Sequence, residues 1–157
     1  MGNAARVAVL RLPEGHGLPL PAYMSERASG ADLCAAIDVD VVLRPGERAR
    51  ISTGFALSLP QGFEAQVRPR SGLAWRTGLT CLNSPGTVDA DYRGPLLVLL
   101  VNLGTESVTI RRGDRIAQLV IVPVERANFD VVERLDETTR GTGGFGSTDA
   151  VAKTAAR

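Results

Sequence analysis

Lysine is nearly missing from this sequence. Its one copy is Lys153, although lysine and arginine together number 18. A phosphate loop ending in Gly-Lys-Ser/Thr is therefore excluded. Any grip on phosphate has to use arginine, hydroxyls and backbone amides. Histidine is as scarce: a histidine triad or metal site would have to centre on His16, which stands between two glycines and reads as plain exposed loop. The two cysteines, Cys34 and Cys81, lie far apart without metal-type spacing and read as buried free thiols in a reducing cytosol. No stretch approaches the roughly 20 apolar residues of a membrane span. The apolar Val7–Leu12 run is short and broken by Arg11, unlike a signal peptide. A net charge of +1 excludes an obvious nucleic-acid binder, though not a local basic site for an anion.

What is present is β-like. The 157 residues, 44% hydrophobic, suit one ordinary core. Phe63, Ala65 and Val67 alternate with Glu64, Gln66 and Arg68, the period of a half-buried strand. Val7–Leu12 reads as a first strand, residues 13–22 as extended loop, and 25–43 as one or two strands. Leu96–Val101 reads as a strand covered on both faces. Ile116–Val122 is a second apolar run, broken only by Gln118, and Asn128–Glu133 closes the regular part. Turn signals every 8 to 14 residues predict an all-β, jelly-roll-like barrel or sandwich. The one plausible helix runs near Ser71–Arg76 to Gly78, with Ser71 able to cap it. A single domain over 1–135 is expected. Residues 136–157, glycine-rich at 140–149, are expected to form a mobile tail.

Polar chemistry gathers in five segments: SGADLCA (29–35), PRSGLA (69–74), NSPGTVDADYRG (83–94), RIAQLVI (115–121) and RGTGGFGST (140–148). Together they supply acids, arginines, hydroxyls and two aromatics, an inventory that fits a polyphosphate bearing a base. Each alone is weak. Gln118 could equally be an internal hydrogen-bonding amide, Trp75 reads as core or interface, and Asp38, Asp40 and Asp114 read as turn or surface acids. Asp91 reads as scaffolding tied to Arg93 or the turn.

In order and spacing the five segments resemble the motifs of the trimeric deoxyuridine triphosphatases (dUTP nucleotidohydrolases), over about residues 23–148. The resemblance implies a β-clip fold and hydrolysis of dUTP to dUMP and pyrophosphate, which keeps uracil out of DNA and supplies dUMP for thymidylate synthesis. It implies Mg²⁺, a cytoplasmic homotrimer with shared sites, and no nucleic-acid or membrane partner. Asp32 then holds water on the metal, and Arg70, Ser71 and Gly72 contact phosphate. Asn83 reads the uracil edge beside the Gly86, Thr87 and Val88 backbone. Asp89 orients and deprotonates the attacking water, and Tyr92 packs under the deoxyribose. Gln118 contacts phosphate. Arg140, Phe145, Gly146, Ser147 and Thr148 belong to a tail that closes over the nucleotide. Thr87 departs from the aliphatic residue commoner there. A deoxycytidine triphosphate deaminase is the nearest rival. It needs a glutamate in the strand after the hairpin, and Pro95–Val101 holds no acid. A non-catalytic nucleotide-binding β-domain is the other rival, one that has no use for a base such as Asp89.

Overall fold

The computed structural model describes residues 5–144. Within them lie strands β1 (Ala8–Arg11), β2 (Ala22–Tyr23), β3 (Ala31–Cys34), β4 (Val41–Leu43), β5 (Arg48–Ser58) and β6 (Phe63–Arg68). Helix α1 (Ser71–Thr77) follows. The remaining strands are β7 (Leu79–Cys81), β8 (Gly86–Val88), β9 (Pro95–Asn102), β10 (Val108–Ile110) and β11 (Arg115–Pro123). The chain divides into two units, Met1–Glu125 and Arg126–Arg157. Among the described residues, all the regular elements belong to the first.

Three antiparallel sheets form: β1-β5-β9-β7, β10-β4 and β2-β3-β11-β6-β8. One hydrophobic cluster joins them. It takes Ile51, Val98 and Leu100 from the first sheet, Leu43 and Ile110 from the second, and Leu33, Val67 and Leu119 from the third. Each sheet thus covers the apolar face of another, as the expected all-β sandwich requires. The period of two over residues 63–68 is realised: Ala65 and Val67 are buried. In β9, Leu96, Val98 and Leu100 are buried on one face, while on the other Leu97 and Leu99 are half-covered and Val101 is buried, so the second face is closed within the chain only towards its end.

Several local expectations need correction. Residues 13–22 are not all loop: Pro13–Gly15 makes a 3-10 turn and Ala22–Tyr23 pairs with β3. Ser71 does not cap α1. Arg70 is the N-cap, in extended backbone and without a side-chain cap bond, and Ser71 is the first helical residue. The helix does end at Gly78, which is left-handed and donates its N–H to Ala74 O at 2.8 Å. Asn128–Glu133 forms no strand. Its apolar residues are exposed, because no neighbouring strand among the described residues offers them a ladder. Trp75, 91% exposed, is not core. Among the described residues no helix is long and apolar enough to cross a membrane.

The remaining polar residues behave as turn chemistry predicts. His16 is exposed. Asp38 and Asp40 pair with Arg112 and Arg111 at 3.6 and 3.5 Å. Asp114 accepts from the Arg111 N–H at 2.7 Å. Burial pushes the Cys81 thiol up to about 11, so it stays protonated and inert.

Candidate active site

Strand β11 lies between β3 and β6, and its Gln118 stands opposite Asp32 on one side and Arg68 on the other. Beyond Arg68 the chain turns through Pro69 and Arg70 into α1. Segments remote in sequence are thereby brought to one place. They line a cleft of about 320 Å³ that holds Gly30, Asp32, Arg70, Ser71, Gly72 and Gln118. The first, second and fourth segments singled out in the sequence therefore meet.

Asp32 is the hinge of the electrostatics. Its Oδ1 accepts from Arg70 Nε at 3.1 Å and its Oδ2 from Arg115 Nη1 at 3.2 Å. Arg70 Nη1 also donates to the Arg115 carbonyl at 3.1 Å. The Asp32 side chain is only 14% exposed, so these pairs are partly shielded from solvent screening. Arg76 is a third arginine in the lining, and Asp32 is its one acid. The excess of guanidinium, with the Ser71 hydroxyl, makes the cleft a receptor for anionic oxygens. Gln118 Nε2 donates to Pro69 O at 2.9 Å, which leaves its second N–H for a ligand. Its internal and ligand-facing roles are thus compatible. Beside them, burial first and then the Asp32 carboxylate raise the Cys34 thiol, which stays protonated.

The third segment lies elsewhere. Strand β8 is the edge of its sheet, paired to β6 through Ala65–Val88, Gln66–Thr87 and Val67–Gly86. Its outer backbone edge has no strand partner in the sheet. Asn83 and Thr87 are exposed, as is Asp89, whose carbonyl accepts from the Tyr92 N–H at 3.2 Å. Tyr92 anchors its hydroxyl on Pro95 O at 3.1 Å. Arg93 donates to the carbonyls of Ala90 and Tyr92, so the expected tie from Asp91 to Arg93 is not made. None of these hairpin residues lines the cleft. In the second unit, Arg140 Nε donates to Gly143 O at 2.9 Å. Phe145, Gly146, Ser147 and Thr148 lie outside the described residues.

Residues 17–149 match the dUTPase family model. The chain belongs to the dUTPase family. It is 59% identical over 142 residues to the deoxyuridine 5'-triphosphate nucleotidohydrolase of Rhizobium etli, covering 89% of this chain and 91% of that protein. A dUTPase of phage 80alpha superposes with a TM-score of 0.81 at 30% identity, over 94% of this chain and all (100%) of that one. The dUTPase of phage phi11 of S. aureus, described with a structural Mg(II) ion, gives 0.74 at 27% identity over 84% and 99%.

Among the charged lining residues of this cleft, Arg115 is absent from the expected site residues. It lies in the fourth polar segment, but strict alternation would put Arg115 on the same face as Ala117 and Leu119, which is the core. Arg76 was also left out. The sequence signal for it is its place on α1, one turn beyond Gly72, whose Cβ position would meet the Arg76 guanidinium at 3.1 Å.

The donor set also bears on a metal. Among the described residues no three His, Cys, Asp or Glu side chains cluster. Mg²⁺ commonly keeps waters and phosphate oxygens with one or two carboxylates, rather than a full protein cage. A single half-buried carboxylate facing a phosphate-type cleft fits that mode. Asp32 retains lone pairs beyond the two given to arginine.

Proposed function

We propose that this chain hydrolyses dUTP to dUMP and pyrophosphate, by attack of water on the α-phosphorus. Its work is to keep uracil out of DNA and to supply dUMP for thymidylate synthesis in the cytoplasm. The observation that carries the reading is the arginine-rich cleft around Asp32, found in a chain of the dUTPase family. Arg70, Ser71, Gly72 and Gln118 hold the phosphates. Asn83 and the backbone of Gly86, Thr87 and Val88 read the uracil edge, as an unpaired strand edge can. Tyr92 lies under the sugar, and Asp89 takes the proton from the attacking water. Mg²⁺, held through water by Asp32, supplies charge neutralisation on the phosphates when bound.

The hairpin and the cleft are separate in one chain, which supports a homotrimer that assembles each site from more than one copy. Residues 1–135 form the hydrolase domain. Residues 136–157, with Arg140, Phe145, Gly146, Ser147 and Thr148, complete the site over the nucleotide and exclude water.

A panel of deoxynucleoside triphosphates with Mg²⁺, followed by product identification, tests the reading. The expected result is dUMP and pyrophosphate from dUTP alone. Deoxyuridine nucleotides formed from dCTP would mark a deaminase, and binding without turnover a nucleotide-binding domain. Gly30 offers a sharper check. A Cβ there would stand 2.2 Å from Gln118 Oε1. Gly30→Ala therefore displaces the Gln118 amide and lowers kcat/KM by about 10-fold or more, as loss of an orienting contact does. The new Cβ would also stand 3.1 Å from Gln118 Cβ, so the melting temperature is measured beside the kinetics to separate a displaced amide from a disturbed strand. Wild-type kinetics in Gly30→Ala would remove Gln118 from the site.

A further inference from the structure

Arg115 reaches the cleft only because β11 is irregular. The register of β11 on β3 runs Gln118 to Asp32 and Ala117 to Leu33, then jumps to Arg115 opposite Cys34. Ile116 is the extra residue of a β-bulge. Ile116 and Ala117, adjacent in sequence, are both buried, at 2% and 0% exposure. A regular strand cannot bury two neighbours on one face. The bulge absorbs the misfit and re-aims Arg115 out of the core onto the face of Asp32 and Gln118. There its side chain holds Asp32 Oδ2 and its carbonyl receives Arg70 Nη1. One residue thus touches both Asp32 and Arg70, the first by side chain and the second by main chain.

We propose that Arg115 is a positioning residue for the hydrolysis assigned above, on which this inference rests. It fixes the Asp32 carboxylate, and through its carbonyl the Arg70 guanidinium, before any nucleotide arrives. The bulge at Ile116 is the device that makes this possible. An isolated surface ion pair contributes little to stability, and at 49% exposure Arg115 is no core element. Its value lies in the orientation of the two groups it holds, a contribution that acts on ligand binding and rate.

The test is a double-mutant cycle over Arg115→Ala and Asp32→Asn, read in two ways: kcat/KM for dUTP, and the affinity for pyrophosphate in EDTA, by calorimetry. Arg115→Ala alone should lower kcat/KM by about 10–100-fold and weaken pyrophosphate binding. In the Asp32→Asn background the same change should cost less than about threefold in either readout, because the partner it positions is already lost. Arg115→Lys, which keeps the charge without the planar fork, should recover part of the loss. Losses that multiply would show Arg115 acting on the ligand directly, and a wild-type Arg115→Ala would show an idle surface pair. Either result overturns the proposal. Should Arg115→Ala fail to fold, Arg115→Gln takes its place in the cycle. If the unmodified chain does not hydrolyse dUTP, the assigned function fails, and the pyrophosphate titration still decides the pairing.

Discussion

Asp89→Asn lowers kcat for dUTP hydrolysis by about 10²–10⁴-fold, the usual worth of a positioned general base, while dUTP still binds. The substitution keeps shape and hydrogen-bonding reach and removes only the ability to take a proton from water. Asp89 is exposed on the turn after β8, and the hydrogen bond that fixes this turn comes from the Tyr92 N–H to its carbonyl, not to its side chain. The fold should therefore be indifferent to the change, and the melting temperature is the control. Single-turnover kinetics with equilibrium binding separate the two effects. Turnover that survives in Asp89→Asn would assign the base to another group.

The second large effect is on stability, where two backbones cross. Gly54, in the middle of β5, has φ of +76°, and a Cβ on it would lie 2.3 Å from Gly15 Cα and 2.7 Å from Gly15 N. Its carbonyl accepts from Leu12 N at 2.9 Å, which pins the N-terminal segment to β5. The ladder from β5 to β9 shifts register between Ser52 and Ala56, around this point. Gly54→Ala meets left-handed strain of about 1–3 kcal/mol and overpacking of about 1–3 kcal/mol. Together these amount to roughly 2–6 kcal/mol, or about 4–24 °C in the melting temperature. Gly46→Ala is the internal control. It shares the left-handed φ, at +82°, but a Cβ there meets nothing within 4 Å. Thermal denaturation of the pair isolates the cost of the crossing. Equal losses in both variants would mean that the close approach of Gly15 and Gly54 contributes nothing.

Much of this architecture was legible in the sequence, for reasons that can be traced. Alternation exposed β6 because its two faces differ in polarity. The helix at Ser71 was bracketed by a polar start and a terminal glycine. The meeting of Asp32, Arg70, Ser71 and Gln118 followed from the resemblance of whole segments, since no local signal says that β11 will lie between β3 and β6. What was missed depends on partners far along the chain. Ala22–Tyr23 is a strand only because β3 runs beside it. Asn128–Glu133 has strand-like composition and no such neighbour among the described residues. Arg115 was hidden because its position breaks the alternation by which strands are read.

That break has a consequence for how the chain tolerates change. Side chains facing the same side of a regular strand are separated by an even number of residues, yet Arg115 and Gln118 are three apart and share a face. The cleft therefore depends on a parity error in β11. A substitution at Ile116 can keep the bulge and be repaired elsewhere. Loss of one residue there would restore even spacing and leave the arginine on the cleft face with no bulge, whereas straightening the strand at its present length would keep the odd spacing and send the arginine inward, so the cleft requires either the bulge or one residue fewer.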